Sequence, residues 1–167
     1  MRSVLAGTSV TLSLIMAAGM TGAYFAFSTG VMPGLNAARP AAAIEAMQGM
    51  NQKIQNPLFI PMFLLIPVVA IAAGVLLLTL DEKSAAVLFF VAAGVYFAGA
   101  LIPSFAVNIP MNNALDGTAI PADAAEAAKV WADYSGRWTA WNNLRAVASW
   151  VSILAMSLGV YLWGKDA

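Results

Sequence analysis

The stretch LFIPMFLLIPVVAIAAGVLLLTLDEKSAAVLFFVAAGVYFAGALIPSFAV, residues 58–107, decides the fold. Two apolar runs, Leu58–Leu80 and Ala85–Val107, flank its only charges, Asp81, Glu82 and Lys83. A helix crosses the hydrocarbon core of a bilayer with roughly 20 predominantly apolar residues, and each run is long enough. So few residues separate them that they must return antiparallel, as a helical hairpin. In lipid every backbone amide needs a partner inside its own segment, so these runs are helices and not open strands. Two more charge-free runs, Val4–Phe27 and Val147–Trp163, complete the set. Met1-Arg2-Ser3 ahead of the first run, with Ala17-Ala18-Gly19 inside it, also suggests a secretory signal. The apolar run is longer than the usual signal core of about 7–15 residues, which favours a retained membrane helix.

Composition agrees. Apolar residues make up 61% of the 167 positions and charged residues 10%, against about 45–50% and about 25% in soluble domains. A disordered chain would be polar and charged. A nucleic-acid binder needs a basic patch, and here eight basic and eight acidic residues cancel. Without cysteine there is no disulfide scaffold. The expected architecture is all-α: a four-helix transmembrane bundle, one integral membrane domain over residues 1–167. Two long connections, about 28–57 and 108–146, form a helical extramembrane cap. Four spans place both termini and the Asp81–Lys83 turn on one side. Arg2 beside the first helix favours the cytoplasm for that side, in a multi-pass plasma-membrane protein, although the two sides tie in Lys and Arg once Arg137 and Arg145 are counted as internal.

Small residues allow close helix contact in lipid. Gly22, Ala26 and Gly30 share one seam, as do Gly94 with Ala98 and Ala155 with Gly159. They are expected to pack the bundle, and the first seam leaves self-association open. Pro57 suits a first-turn position. Pro61, Pro67 and Pro103 each remove a helical hydrogen bond and bend their helices.

The connections carry helical patterns of their own. Ile44, Met47, Asn51 and Ile54 share a face, with Gln48 and Gln55 beside them, as in an amphipathic helix lying at the membrane interface. Asn51 is the polar exception on that face. It either closes on a nearby carbonyl or lines a pocket. Further on, Asp116-Gly117 marks a turn, and Pro121 opens a helix with Asp123 and Glu126 at its positive end. Ala127, Trp131, Tyr134, Trp138, Trp141, Arg145, Ala148 and Ser152 then repeat at spacings of three and four. The spacing predicts one long helix from about Ala122 to Trp163. Trp131 and Trp163 read as interfacial anchors. Trp138 and Trp141 share their face with Arg145, and a bare arginine inside a membrane helix costs several kcal/mol. It either snorkels to the interface or is held by Asn108, Asn112 or Asn142. Arg137 lies two turns earlier on the same side, and Asp133 can pair with it across one turn.

Three patches resemble the anthrone oxygenase family, also known as DUF1772. They are Gly22-Ala23-Tyr24-Phe25-Ala26-Phe27-Ser28-Thr29-Gly30-Val31-Met32-Pro33; Met47-Gln48-Gly49-Met50-Asn51-Gln52 followed by Asn56-Pro57; and Val107-Asn108-Ile109-Pro110-Met111-Asn112 with Arg137-Trp138-Thr139-Ala140-Trp141-Asn142-Asn143-Leu144-Arg145. The resemblance implies an oxidoreductase that oxidises hydrophobic anthrones to anthraquinones with oxygen. The chain has no histidine or cysteine, so histidine-ligated haem and the common iron and copper sites are excluded. No metal and no cofactor are expected. A cofactor-independent oxidation needs a base, a cradle for the enolate and an aromatic pocket. Arg137, Arg145, Asn108, Asn112 and Asn142 supply a cradle on paper, Trp138 and Trp141 a stacking surface, and Asn51 a further lining group. Asp133 and Glu45 are the carboxylates available as base. Two other readings stay open. The chain binds a lipid or quinone without turnover, or serves as an accessory subunit; or the Asn, Arg and Trp cluster is a structural lock between cap and bundle. The first three spans carry no ionisable acid or base, which argues against an ion path.

Overall fold

The computed structural model describes residues 1–165. These residues are helical throughout their regular structure, with no strand among them. We number the helices α1 (Arg2–Ala37), α2 (Pro40–Lys53), α3 (Phe59–Leu78), α4 (Lys83–Asp116) and α5 (Ala124–Lys165). Four of them, all but α2, are long and apolar enough to cross a membrane. They close into a ring in which α1 packs on α3, α3 on α4, α4 on α5 and α5 on α1. The outer surface is apolar where lipid would lie: Ile15, Val68, Val87, Leu154 and Tyr161 are all exposed. A soluble monomer rarely tolerates such a continuous apolar patch, and the chain is a multi-pass membrane protein.

Alanine fills much of the interior. Ala17, Ala70, Ala73, Ala86, Ala92 and Ala100 are buried around Met20, Phe89 and Met156. Small side chains let the backbones approach, as packing in lipid requires. Of the expected seams, Gly159 holds, with Phe89 against it. The other two do not. Gly22, Ala26 and Gly30 are exposed, as are Gly94 and Ala98. The close approaches fall instead at Gly19 against Met62, Gly74 against Phe90 and Gly99 against Ala148.

α1 and α4 run past their expected ends at Phe27 and Val107, because each absorbs proline without breaking. Three π-helical turns do this: Phe27–Val31 in α1, and Phe97–Leu101 and Ser104–Asn108 in α4. Each ends two residues before a proline, at Pro33, Pro103 and Pro110. Proline offers no N–H and crowds the carbonyl four residues back. Widening one turn, with Met32 N–H reaching Phe27 O, Ile102 Phe97 O and Ile109 Ser104 O, bypasses that conflict. The widened turns carry Ser28, Ser104 and Asn108, all polar and all at the end of the bundle that meets the cap. Pro57 lies in the turn ahead of α3, and Pro61 falls in its first turn, where no internal bond is lost. Only Pro67 sits inside α3. It strips Phe63 O of its helical donor, and the buried Tyr96 hydroxyl donates to that carbonyl instead, at 3.2 Å. Tyr96→Phe is expected to cost about 1–3 kcal/mol, the price of an orphaned buried carbonyl. Adding Pro67→Ala, which restores the N–H, should recover most of it in denaturant unfolding of the detergent-solubilised protein.

The cap is a second core. The buried face of α2, Ala43, Ile44 and Met47, packs on Met32, Leu115, Trp131, Tyr134 and Trp138. The expected amphipathic face is therefore real but lies against protein, not lipid. Gln48 Nε2 donates to Leu115 O and Thr118 O, at 2.8 and 2.9 Å, and ties α2 to the turn after α4. The predicted long helix is continuous through Ser135-Gly136. It starts at Ala124, two residues later than expected, because the Asp123 carboxylate accepts from Glu126 N–H at 2.9 Å and caps it.

Candidate functional site

Where bundle meets cap, α1, α2, α3, α4 and α5 surround a cavity of about 350 Å³. Its walls are apolar and aromatic: Phe27, Met47, Met50, Phe59, Phe63, Ile109 and Trp138. Its polar groups fall into two sets. Tyr24, Ser104, Asn142 and Arg145 come from the bundle, and Asn51, Gln55, Asn112 and Asn113 from the cap and its borders.

Arg145 organises the first set. It is 7% exposed. Nη1 donates to Ser104 Oγ at 3.1 Å and Nη2 to Asn142 Oδ1 at 2.9 Å. The guanidinium carbon lies 4.8 Å from the centre of the Tyr24 ring and 5.3 Å from that of Trp138. These partners are neutral. Cation–π contact offsets part of the desolvation, yet Nε finds no acceptor, and the Tyr24 hydroxyl, buried beside Tyr96, Ser104 and Arg145, closes no hydrogen bond of good geometry. Asn142 is itself fixed by α1: its Nδ2 donates to Tyr24 O and Ser28 Oγ, at 2.9 and 2.8 Å. Ser28 and Ser104 are both residues of π-helical turns. The prolines that widen those turns thus set the acceptors around the arginine.

The cap set hangs on Asn112. Its Oδ1 accepts from Trp138 Nε1 at 2.7 Å and from Tyr134 Oη at 2.9 Å. These bonds hold the indole of Trp138, which also meets Phe27 with ring centres 5.4 Å apart. Asn51 lines the cavity and donates to Asp116 Oδ1 at 3.0 Å, so it closes on a carboxylate rather than on a neighbouring carbonyl.

The sequence-derived candidates divide accordingly. Arg145, Asn51, Asn112, Trp138 and Asn142 meet around one cavity. Asn108 is buried beside it and donates to Trp138 O at 3.2 Å, its Oδ1 unpartnered. Trp141 is half-buried and not among the lining residues. Asp133 and Arg137 are exposed on the outer face of α5, away from the cavity, and Glu45 is exposed on α2. The expectation that Arg137 shares the side of Arg145 does not hold: eight residues turn an α-helix by about 80° beyond two full turns. Sequence reading missed Tyr24, Ser104 and Asp116 in these positions. Tyr24 was visible in the first family-like patch, but nothing in spacing alone marked it. Among the described residues no three histidine, cysteine or acidic side chains gather as a metal site.

Fold and cavity together define a class: small multi-pass membrane bundles with a cap-covered internal cavity and a buried arginine at its polar end. The family is now identifiable. The anthrone oxygenase family model matches residues 55–155, more than half of the chain, and the chain belongs to that family. The match covers Ser104, Asn112, Trp138, Asn142 and Arg145, while Tyr24 and Asn51 precede it. No curated protein and no solved structure matches the chain.

Proposed function

We propose that the cavity binds a flat, hydrophobic, oxygen-bearing aromatic of the anthrone class and stabilises its enolate, which then reacts with oxygen without a resident cofactor. One observation carries the reading. Arg145 is buried beside apolar walls, its partners are neutral, and its buried Nε has no acceptor. A fixed cation in a water-poor site favours the anionic form of whatever oxygen meets it. Trp138, Phe27 and Phe63 offer faces for a planar ring.

The stoichiometry closes. Loss of a proton from the anthrone methylene to water gives the enolate. Oxygen adds at that carbon and, with a returned proton, forms a hydroperoxide. Loss of water across the C–H and O–O bonds leaves the quinone, so one anthrone and one O₂ give one anthraquinone and one H₂O. Arg145 and the Tyr24 hydroxyl would hold the enolate oxygen, and Ser104 and Asn142 would hold Arg145.

A second reading has its own support. No carboxylate or histidine is among the described lining residues, so the cavity offers no evident side-chain base. Binding of a quinone or lipid without turnover fits that feature. One assay separates the two: anthrone in air with purified protein, anthraquinone followed by chromatography. Turnover above the buffer rate, lowered about a hundredfold in Arg145→Met, supports the oxygenase. A rate equal to buffer, with anthraquinone retained by the protein, supports binding alone.

A further inference from the structure

We propose that the resting cavity holds a small monovalent anion, of the chloride class, on Arg145 and Tyr24, and that an oxyanionic ligand must displace it. The inference rests on the reading of Arg145 as an oxyanion site, but not on turnover.

Arginine stays protonated in proteins, and an ion without a counter-charge in a low-dielectric interior costs several kcal/mol even after relaxation. Arg145 is such an ion: its hydrogen-bond partners among the described residues, Ser104 and Asn142, carry no charge. Asp116, at the end of α4, accepts from Asn51 in the cap instead. Asp133, Glu45 and Glu126 are exposed elsewhere on the surface.

Next comes geometry. Two lining side chains more than nine-tenths buried, Arg145 and Tyr24, have a polar atom with no partner, Nε and the phenolic oxygen. The guanidinium stacks 4.8 Å from the Tyr24 ring, which keeps the two groups together. Nε can only donate and the phenol can donate, so together they match an acceptor, and the unpartnered cationic donor selects a negative one. Two more unpartnered buried hydroxyls lie within a helical turn. Thr21 is three residues before Tyr24, and Ser149 is four after Arg145. The apolar walls disfavour strongly hydrated dianions. Larger halides lose less hydration on transfer and should bind more tightly than chloride.

The test uses the full chain in detergent, with no aromatic ligand present. Thermal unfolding is followed while sodium gluconate is replaced by sodium chloride, bromide or iodide at constant ionic strength. Gluconate is too large and too hydrated for the cavity. A ligand of the folded state alone stabilises in proportion to ln(1 + [L]/Kd), so the melting temperature should rise with chloride and show half-effects at lower concentration for bromide and iodide. Tyr24→Phe keeps the ring and removes one donor. It should weaken the halide response about tenfold, as expected for one hydrogen bond to a charged group. Arg145→Gln should abolish it. In a separate titration under nitrogen, formation of the anthrone enolate by the protein should weaken as chloride rises. Equal melting in chloride and gluconate overturns the proposal, as does a halide response unchanged in Tyr24→Phe. Anthrone oxidation that persists despite either result leaves the functional reading standing; a halide site without oxidation leaves the anion site standing alone.

Discussion

An Arg145→Lys variant keeps its positive charge and, on the proposed function, is still expected to lose affinity for an anthraquinone ligand by about tenfold to a hundredfold. The reason is shape. The guanidinium reaches Ser104 through Nη1 and Asn142 through Nη2, while its plane faces Tyr24 and Trp138. That leaves Nε as the donor without a partner. Lysine carries a compact ammonium with no plane and no fork. Its three donors diverge from a single nitrogen, so they cannot stand where Nη1, Nη2 and Nε stand, and it cannot stack between two rings. Quenching of tryptophan fluorescence by bound anthraquinone checks this, since Trp138 lines the cavity. Affinity within twofold of wild type would mean that charge alone suffices and that the fork is incidental.

Asn112→Leu should be the most destabilising single change at the border of cap and bundle. One amide oxygen accepts from two donors, Trp138 Nε1 and Tyr134 Oη. Both donors belong to residues at least nine-tenths buried. Leucine leaves both without a partner, at about 1–3 kcal/mol each, so about 2–6 kcal/mol in all. Because Tyr134 and Trp138 also stack, with ring centres 6.3 Å apart, the loss should loosen the cavity wall as well. Removing one stranded donor recovers part of the cost: Asn112→Leu with Tyr134→Phe should be more stable than Asn112→Leu alone. Denaturant unfolding of the two variants reads the coupling. A double variant that is less stable by the sum of both single losses would show that Asn112 does not serve these two donors together.

Much of this arrangement was legible in the sequence because membranes simplify the code. A charge-free run such as Leu58–Leu80 can only be a buried or lipid-facing helix, and the rarity of charge made Arg145 conspicuous. The 3.6-residue period then placed Trp131, Tyr134, Trp138 and Arg145 on one stripe, and all four are buried on α5, whereas Trp141 of the same stripe is only half-buried. The same arithmetic failed for Arg137, whose angular drift from Arg145 over two turns carries it to the surface. It failed for the glycine seams too. Gly22 and Gly94 satisfy the spacing rule but face outward, whereas Gly19 and Gly99 meet a neighbouring helix. Spacing reports that a face exists, not which partner it meets. The π-helical turns were invisible for a related reason. Pro33, Pro103 and Pro110 announce a disturbed helix, but whether it kinks, stops or widens depends on what packs around it. Widening brought Ser28 and Ser104 to Asn142 and Arg145, contacts that span 114 and 41 residues of sequence.

The central claim is that a cationic cradle stabilises the enolate of a flat aromatic. Absorption of anthrone mixed with the purified protein under nitrogen tests it most directly, because removing oxygen isolates anion formation from every later step. The expected result is the visible band of the anthrone enolate at a pH where free anthrone stays in its keto form. The band should saturate at one equivalent, vanish in Arg145→Met, and collapse to anthraquinone when air is admitted. Anthrone bound tightly yet spectroscopically neutral, in wild type and variant alike, would contradict the claim.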